Sequence, residues 1–318
     1  MPPYLFISIA AGLLSAVLYG AAASGSMLSI IPIYLSPLPL FLAGLGYGGT
    51  AALIGGISAT GAIALAGGPL LGVAYFLVNA AAPIIVTRAA NWSRQVTAEN
   101  GSSAIEYYPA GMLFAWLCGL GIVIMVLLAL FMQRYEGGLS GWIPQIIQVE
   151  ALSQTIMQAQ LQTGSVPIDE EALRSRLVQF ALPGLGLFWM LISIGNGALA
   201  QHLLVRLGRN ARPTPDFVNM DLPQFMLWPL LGGAVLAFFP GDLGLIGAVV
   251  ATLAAMPYFF LGLATVHVIS HHLPGRAFAL TGFYVLLLAL GWPVLLIVGL
   301  GIVEHFANLR RTYAIAKP

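Results

Sequence analysis

The chain has 318 residues, of which 59% are hydrophobic and only 7% charged, with 12 Lys and Arg against 11 Asp and Glu. A water-soluble domain carries about a quarter charged residues, so this chain lacks the polar side chains to clothe a water-facing surface, which excludes a soluble enzyme and a disordered chain. A net charge of +1 offers no field for nucleic acid, and the single cysteine, Cys118, excludes an intrachain disulfide and reads as a small buried hydrophobe.

A membrane-spanning helix needs about 20 mostly apolar residues. On that template span 1 covers 4–23, span 2 27–45, span 3 47–66 and span 4 69–88, and no Asp, Glu, Lys or Arg occurs before Arg88. The opening residues end in small side chains, as a cleaved leader does, but no basic segment precedes them and they are read as a retained span. A polar loop follows at 89–108 and span 5 at 109–132, after which the chain leaves the membrane over 133–181. Spans 6, 7 and 8 fall at 182–204, 222–239 and 243–266. The last apolar stretch, 276–306, is too long for one span and has Gly291-Trp292-Pro293 at its middle, so it forms either one kinked helix or a tight hairpin of two short spans.

Charge chooses between these readings, because Lys and Arg collect in short cytoplasmic loops. Placing Arg88, Arg94, Arg206, Arg209, Arg212, Arg276, Arg310, Arg311 and Lys317 inside leaves only Arg134, Arg174 and Arg176 outside. That assignment requires an even number of spans after Arg276. The expectation is an all-α, polytopic transmembrane helical bundle of about ten spans, nine being the alternative, forming a single membrane domain over 1–318 with both termini cytoplasmic in a bacterial inner membrane. In the outer segment, Ile146, Val149, Leu152, Ile156 and Met157 share one helical stripe. Pro167 followed by Asp169, Glu170 and Glu171 then signals a second helix start, whose acids complement the helix dipole and which is expected to run on until Pro183. Two amphipathic helices on the outer face are expected.

Small residues recur every fourth position in span 1 (Gly12, Ala16, Gly20) and in span 3 (Gly48, Ala52, Gly56, Thr60, Ala64, Gly68). Such ridges let backbones touch, here inside the bundle or against a second membrane protein. Pro32, Pro37 and Pro39 break span 2 around Ser36. Broken backbone in a membrane is tolerated only where protein or a cavity satisfies it, so Ser36, Pro37 and Pro39 are candidates for a solute cavity. Asn79 and Asn196 join them as the deepest strong polar groups, with Tyr47 and Tyr75 nearby in the reading. No acidic or basic residue falls at the centre of any proposed span, which argues against carboxylate-coupled proton transport. His267, His271 and His272 are read as solvated interfacial histidines, since two on one helix face make an incomplete zinc site. The chain lacks a phosphate loop and the HExxH, GxSxG and CxxC patterns, so neither an enzyme nor a bound metal or cofactor is expected.

The closing stretch Gly299-Leu300-Gly301-Ile302-Val303-Glu304-His305-Phe306-Ala307-Asn308-Leu309-Arg310-Arg311 resembles the C-terminal signature of the YybS-like family of bacterial polytopic membrane proteins, with Glu304 where an aspartate is usual. The stretch PIYLSPLPLFLAGLGYGGTAALIGG is similar to that family's opening. The same N-terminal pattern is distantly similar to the substrate-binding components of energy-coupling-factor vitamin transporters, which implies that Gly12, Ala16 and Gly20 dock a partner. Glu304 and Arg311, seven apart, are expected to share a helix face as an ion pair near the cytoplasmic surface, and Glu304, Arg310 and Arg311 form a candidate cytoplasmic interface. Together these readings point to a small-solute binder or transporter in the lipid bilayer. The alternative is a non-transporting scaffold that docks envelope or cell-division machinery.

Overall fold

A computed structural model describes residues 3–97, 103–134, 149–163, 169–215 and 220–315. Ile146, Pro167 and Lys317, which entered the sequence reading, lie outside the described residues.

Helix α1 (Pro3–Gly20) is followed by the broken second span, α2 (Ile30–Tyr34) and α3 (Leu38–Tyr47). The break falls at the predicted Ser-Pro-Leu-Pro motif: Pro37 caps α3 and Pro39 occupies its first turn, where a missing N–H loses no helical bond. Helix α4 (Gly49–Gly67) is bounded by Gly48 at φ 100° and Gly68 at φ 92°, values that admit glycine and strain any other residue. The fourth span consists of α5 (Pro69–Tyr75), a π-helical turn at Phe76–Ala80, and α6 (Ala81–Ala90).

The polar loop expected at 89–108 contains an antiparallel hairpin, β1 (Ser93–Thr97) paired with β2 (Ser103–Tyr107), in which Arg94 faces Glu106. Helix α7 (Ala110–Met132) precedes α8 (Val149–Thr163) and α9 (Glu170–Arg206). Pro183 does not end the amphipathic helix as expected. It lies inside the 37-residue α9, as membrane helices allow when neighbouring groups re-satisfy the one carbonyl that proline frees.

Helix α10 (Leu227–Leu236), with the tight turn Gln224–Met226 before it, is shorter than the span expected at 222–239. Its 13 residues including that turn reach about 20 Å, against a hydrocarbon layer of about 30 Å. Helix α11 (Asp242–Ile269) is long and contains Pro257. Helices α12 (Arg276–Leu290) and α13 (Pro293–Ala307) turn through 120° at Gly291-Trp292, so the last apolar stretch is broken where the sequence placed the break. Helix α14 (Leu309–Ile315) closes the described chain.

The fold is all-α, and among the described residues seven helices, counting α2–α3 and α5–α6 as one each, are long and apolar enough to cross a membrane. The α12–α13 pair makes an eighth if it is counted as one span. Phe6, Val17, Leu65, Phe278 and Leu288 are all exposed on these helices, as lipid-facing side chains are.

The chain divides into two units, Met1–Leu120 with Met190–Pro223 and Pro257–Pro318, and Gly121–Trp189 with Gln224–Met256. In the first, Ala16, Leu40, Ala59, Ile63, Tyr75 and Ala80 form a buried core. Glycine sets the closest approaches: a Cβ on Gly12 would fall 2.2 Å from the Gly55 carbonyl oxygen, and one on Gly301 would fall 1.9 Å from that of Tyr258. In the second unit, α10 crosses α11 at Gly233, where a Cβ would come 2.5 Å from the Ala251 nitrogen.

Candidate functional site

The break in span 2 releases backbone carbonyls that the helix no longer satisfies. Side chains from other helices take them up. Asn196 Nδ2 donates to the Tyr34 carbonyl at 2.8 Å and to its own helix at Ile192 at 2.9 Å. The Ser15 hydroxyl donates to the Ser36 carbonyl, so the Tyr75 hydroxyl, 2.5 Å away, donates to Ser15. Ser36 in turn donates its own hydroxyl to Asn79 Oδ1 at 2.7 Å, and Asn79 sits on the π-helical turn. Ser15, Ser36 and Tyr75 are fully buried and Asn79 nearly so, and Asn79 Nδ2 is buried with no partner among the described residues. The structure thus brings Ser36, Tyr75 and Asn79 into one polar cluster with Pro37 and Pro39 buried beside it. Asn196 reaches the same break from α9, whereas Tyr47, 40% exposed at the end of α3, stands apart. Ser15 belongs to the cluster and was not singled out from sequence, because a lone serine in an apolar span carries no distinguishing pattern.

A cavity of about 350 Å³ lies elsewhere in the first unit. Phe41 and Leu45 of α3, Val86 of α6, and Phe114 and Leu117 of α7 supply apolar wall. Ser193 and Gln201 of α9 and Arg212 of the following loop supply polar groups, each at most 6% exposed. Ser36, Pro37, Pro39, Tyr47, Tyr75, Asn79 and Asn196 do not line it.

Arg212 is held by backbone. Its Nη1 donates at 2.9 Å to the carbonyl of Ala90, the last residue of α6, where the helix end leaves carbonyls unsatisfied and its dipole favours a cation. Nη2 lies 3.5 Å from the Tyr108 carbonyl, and the guanidinium carbon stands 5.7 Å from the centroid of the Tyr107 ring. Gln201 Nε2 and Asn210 Nδ2 both donate to the Arg212 carbonyl, at 3.1 and 2.9 Å, fixing the loop. Burial lowers the Arg212 pKa below the ordinary arginine value, with Tyr107 opposing the shift. A guanidinium starts so far above neutrality that it keeps its charge. In the sequence Arg212 reads as one more arginine of a cytoplasmic loop, and no local signal marks it as buried.

The ridge residues are divided. Gly12 and Ala16 are buried, with Gly12 against α4. Ala52 and Gly56 are buried too, and a Cβ on Gly56 would fall 2.7 Å from Ile84 of α6. Gly20 and Gly48 have open space where a Cβ would sit.

The expected Glu304–Arg311 pair is corrected. Asn308 adopts φ 49°, which ends α13 and turns the chain, so residues seven apart no longer share a face. Glu304 instead receives Arg310 Nε at 2.7 Å and the Arg310 backbone N–H at 3.1 Å. Arg310 also donates to the Met220 carbonyl at 2.8 Å, while the exposed Arg311 reaches Asp221 at 3.0 Å. His267 Nε2 lies 2.7 Å from the Tyr284 hydroxyl. Among the described residues no three His, Cys, Asp or Glu come together as a metal site.

No protein-family model, no curated protein and no solved structure matches this chain.

Proposed function

We propose that this chain is a multi-pass bacterial inner-membrane protein of the YybS-like kind that binds and carries a small solute, with both termini cytoplasmic and ten membrane crossings. One observation carries the solute reading. The cavity of about 350 Å³ has largely apolar walls with a few buried polar side chains, Gln201 and Arg212 at one place and Ser193 further along α9, and ligand sites have this make-up, in volumes of roughly 300–1,000 Å³. The polar cluster at the broken span supports the same role at one remove. By satisfying the released carbonyls, Ser15 and Asn196 hold α3 at its angle, and α3 contributes Phe41 and Leu45 to the cavity wall. Binding rather than catalysis is the role in view.

The test is to purify the full chain, exchange it into nanodiscs, and extract bound small molecules for mass spectrometry. Gly197→Leu fills the cavity without a backbone clash, since a Cβ there meets only the Phe41 ring at 3.5 Å, an ordinary contact. A near-stoichiometric solute from the wild type that is lost from Gly197→Leu is expected. Equal recovery from both proteins, or none from either, overturns the proposal. A co-purifying membrane protein in place of a solute points to the scaffold reading.

A further inference from the structure

Among the described residues Arg212 is a buried cation with no counter-charge. It is 5% exposed, it lines the cavity, and its Nε is buried with no hydrogen-bond partner among the described residues. Its other nitrogens meet carbonyl oxygens of Ala90 and Tyr108, which are dipoles and not counter-charges. No carboxylate pairs with it among the described residues, and the one ionisable neighbour that opposes the effect of burial is Tyr107. A buried charge without a partner of opposite sign is costly, and a guanidinium fork matches carboxylate and phosphate oxygens. The rest of the lining is apolar at Phe41, Leu45, Phe114 and Leu117 and polar at the solvent-exposed His202 and Thr214, so Arg212 is the one buried charge among the described lining residues.

Resting on the solute-cavity reading, we infer that the ligand is an amphipathic monoanion, an apolar chain bearing one carboxylate or phosphate head, with the head at Arg212 and the chain between α3 and α7. Gln201, which already touches the Arg212 backbone, is a further hydrogen-bonding group for the head, whereas Ser193 stands about 12 Å further along α9, beside the chain. Such an anion has two sources, a free aliphatic acid or a single-chain phospholipid, and the chemistry at Arg212 is shared.

The experiment measures binding of radiolabelled decanoate to the full chain in nanodiscs of neutral phosphatidylcholine, with unlabelled decanol and lysophosphatidylglycerol as competitors. Saturable decanoate binding, poorly displaced by decanol, is expected. Displacement by lysophosphatidylglycerol assigns the lipid source and its absence the free acid, and either outcome supports the inference. Arg212→Gln is expected to weaken decanoate by about tenfold to a hundredfold, the worth of hydrogen bonds to a charged group, and to leave decanol unchanged. Equal binding of decanoate and decanol, unaffected by Arg212→Gln but lost in Gly197→Leu, overturns the anion and leaves the cavity reading standing. Binding unaffected by Gly197→Leu overturns both. Should Arg212→Gln fail to assemble, Arg212→Lys keeps the charge and loses the fork. It is expected to bind decanoate more weakly yet still in preference to decanol, and loss of that preference overturns the inference.

Discussion

Glu304 is 1% exposed, and both of its oxygens are occupied by Arg310, which is itself 6% exposed. Taking two charges out of water is expensive, and the pair persists because each partner is answered by hydrogen bonds. Removing one partner therefore costs far more than the pair contributes. Glu304→Gln takes from the Arg310 guanidinium its buried counter-charge and leaves only the longer, half-exposed contact to Asp221 at 3.5 Å, so it is expected to lose stability, by up to about 3–5 kcal/mol. Glu304→Gln combined with Arg310→Met is expected to recover most of that loss. Arg311→Ala, which breaks an exposed contact to Asp221, is expected to cost less than about 1 kcal/mol. Denaturant unfolding of the purified chain in detergent orders the three; an Arg311→Ala loss as large as that of Glu304→Gln would refute the assignment. The sequence shows the charges but not their pairing. A seven-residue interval puts two side chains on one face only while the helix continues, and Asn308 in the left-handed region ends it.

Between elements, the spacing of small residues marks a packing face only in part: Gly12 and Ala16 on α1 are buried and Gly20 is open, and on α4 it misses a second face. The ridge Ala52, Gly56 faces the fourth span, where Ala80 and Ile84 lie against Gly56. The helix has a second small face, carrying Ala51, Gly55 and Ala59, all buried, and Gly55 meets α1 at Ser8 and Gly12. A four-residue period shows that backbones approach and is silent on which helix approaches. Gly12 and Gly20 share the period and differ in surroundings, so they make a matched pair. A Cβ at Gly12 would fall 2.2 Å from both the Gly55 carbonyl oxygen and Ser58 Oγ, whereas nothing lies within 4 Å of one at Gly20. Gly12→Ala is expected to destabilise by about 1–3 kcal/mol, the range for overpacking. Gly20→Ala is expected to be neutral or to stabilise by up to about 1 kcal/mol, the helix-propensity gain. Thermal melting in detergent reads both. Shifts of equal size and sign would mean that the α1–α4 crossing is not where the backbones touch.

For the whole molecule, the membrane class and most spans were legible because hydropathy is a local property. The helices found at Tyr4–Ala23, Gly49–Gly67 and Ala110–Met132 lie close to the expected positions. The cavity was not legible, since three helices, one half of a broken span and a loop assemble it, and the residues that matter are ordinary in their local context. The strand pair β1–β2 reads as loop in the sequence because its short alternation, Arg94-Gln95-Val96, is too brief to stand out from polar surroundings. The count of crossings rests on the pieces where length and charge disagree. Helix α10 is too short to span without thinning the bilayer, and α12 and α13 have 15 residues each. Yet the basic residues sort to one side only if α10 crosses and α12 with α13 returns the chain to the side it left. Single cysteines decide this, with Cys118, at 1% exposure, a silent background. Cysteines replacing Leu207, Leu273 and Arg311 are expected to react with a membrane-impermeant maleimide only from the cytoplasmic side. One replacing Phe239, half exposed in the turn between α10 and α11, is expected to react only from outside. Phe239 tests the crossing of α10, which the tail cannot, because Arg311 lies inside whether α10 crosses and α12 and α13 each cross, or α10 lies flat and α12–α13 is one span. If α10 lies flat, the Phe239 position labels from the cytoplasm and the Leu273 position from outside. Helix α11 then runs in the opposite sense, and the charge rule fails at Arg276.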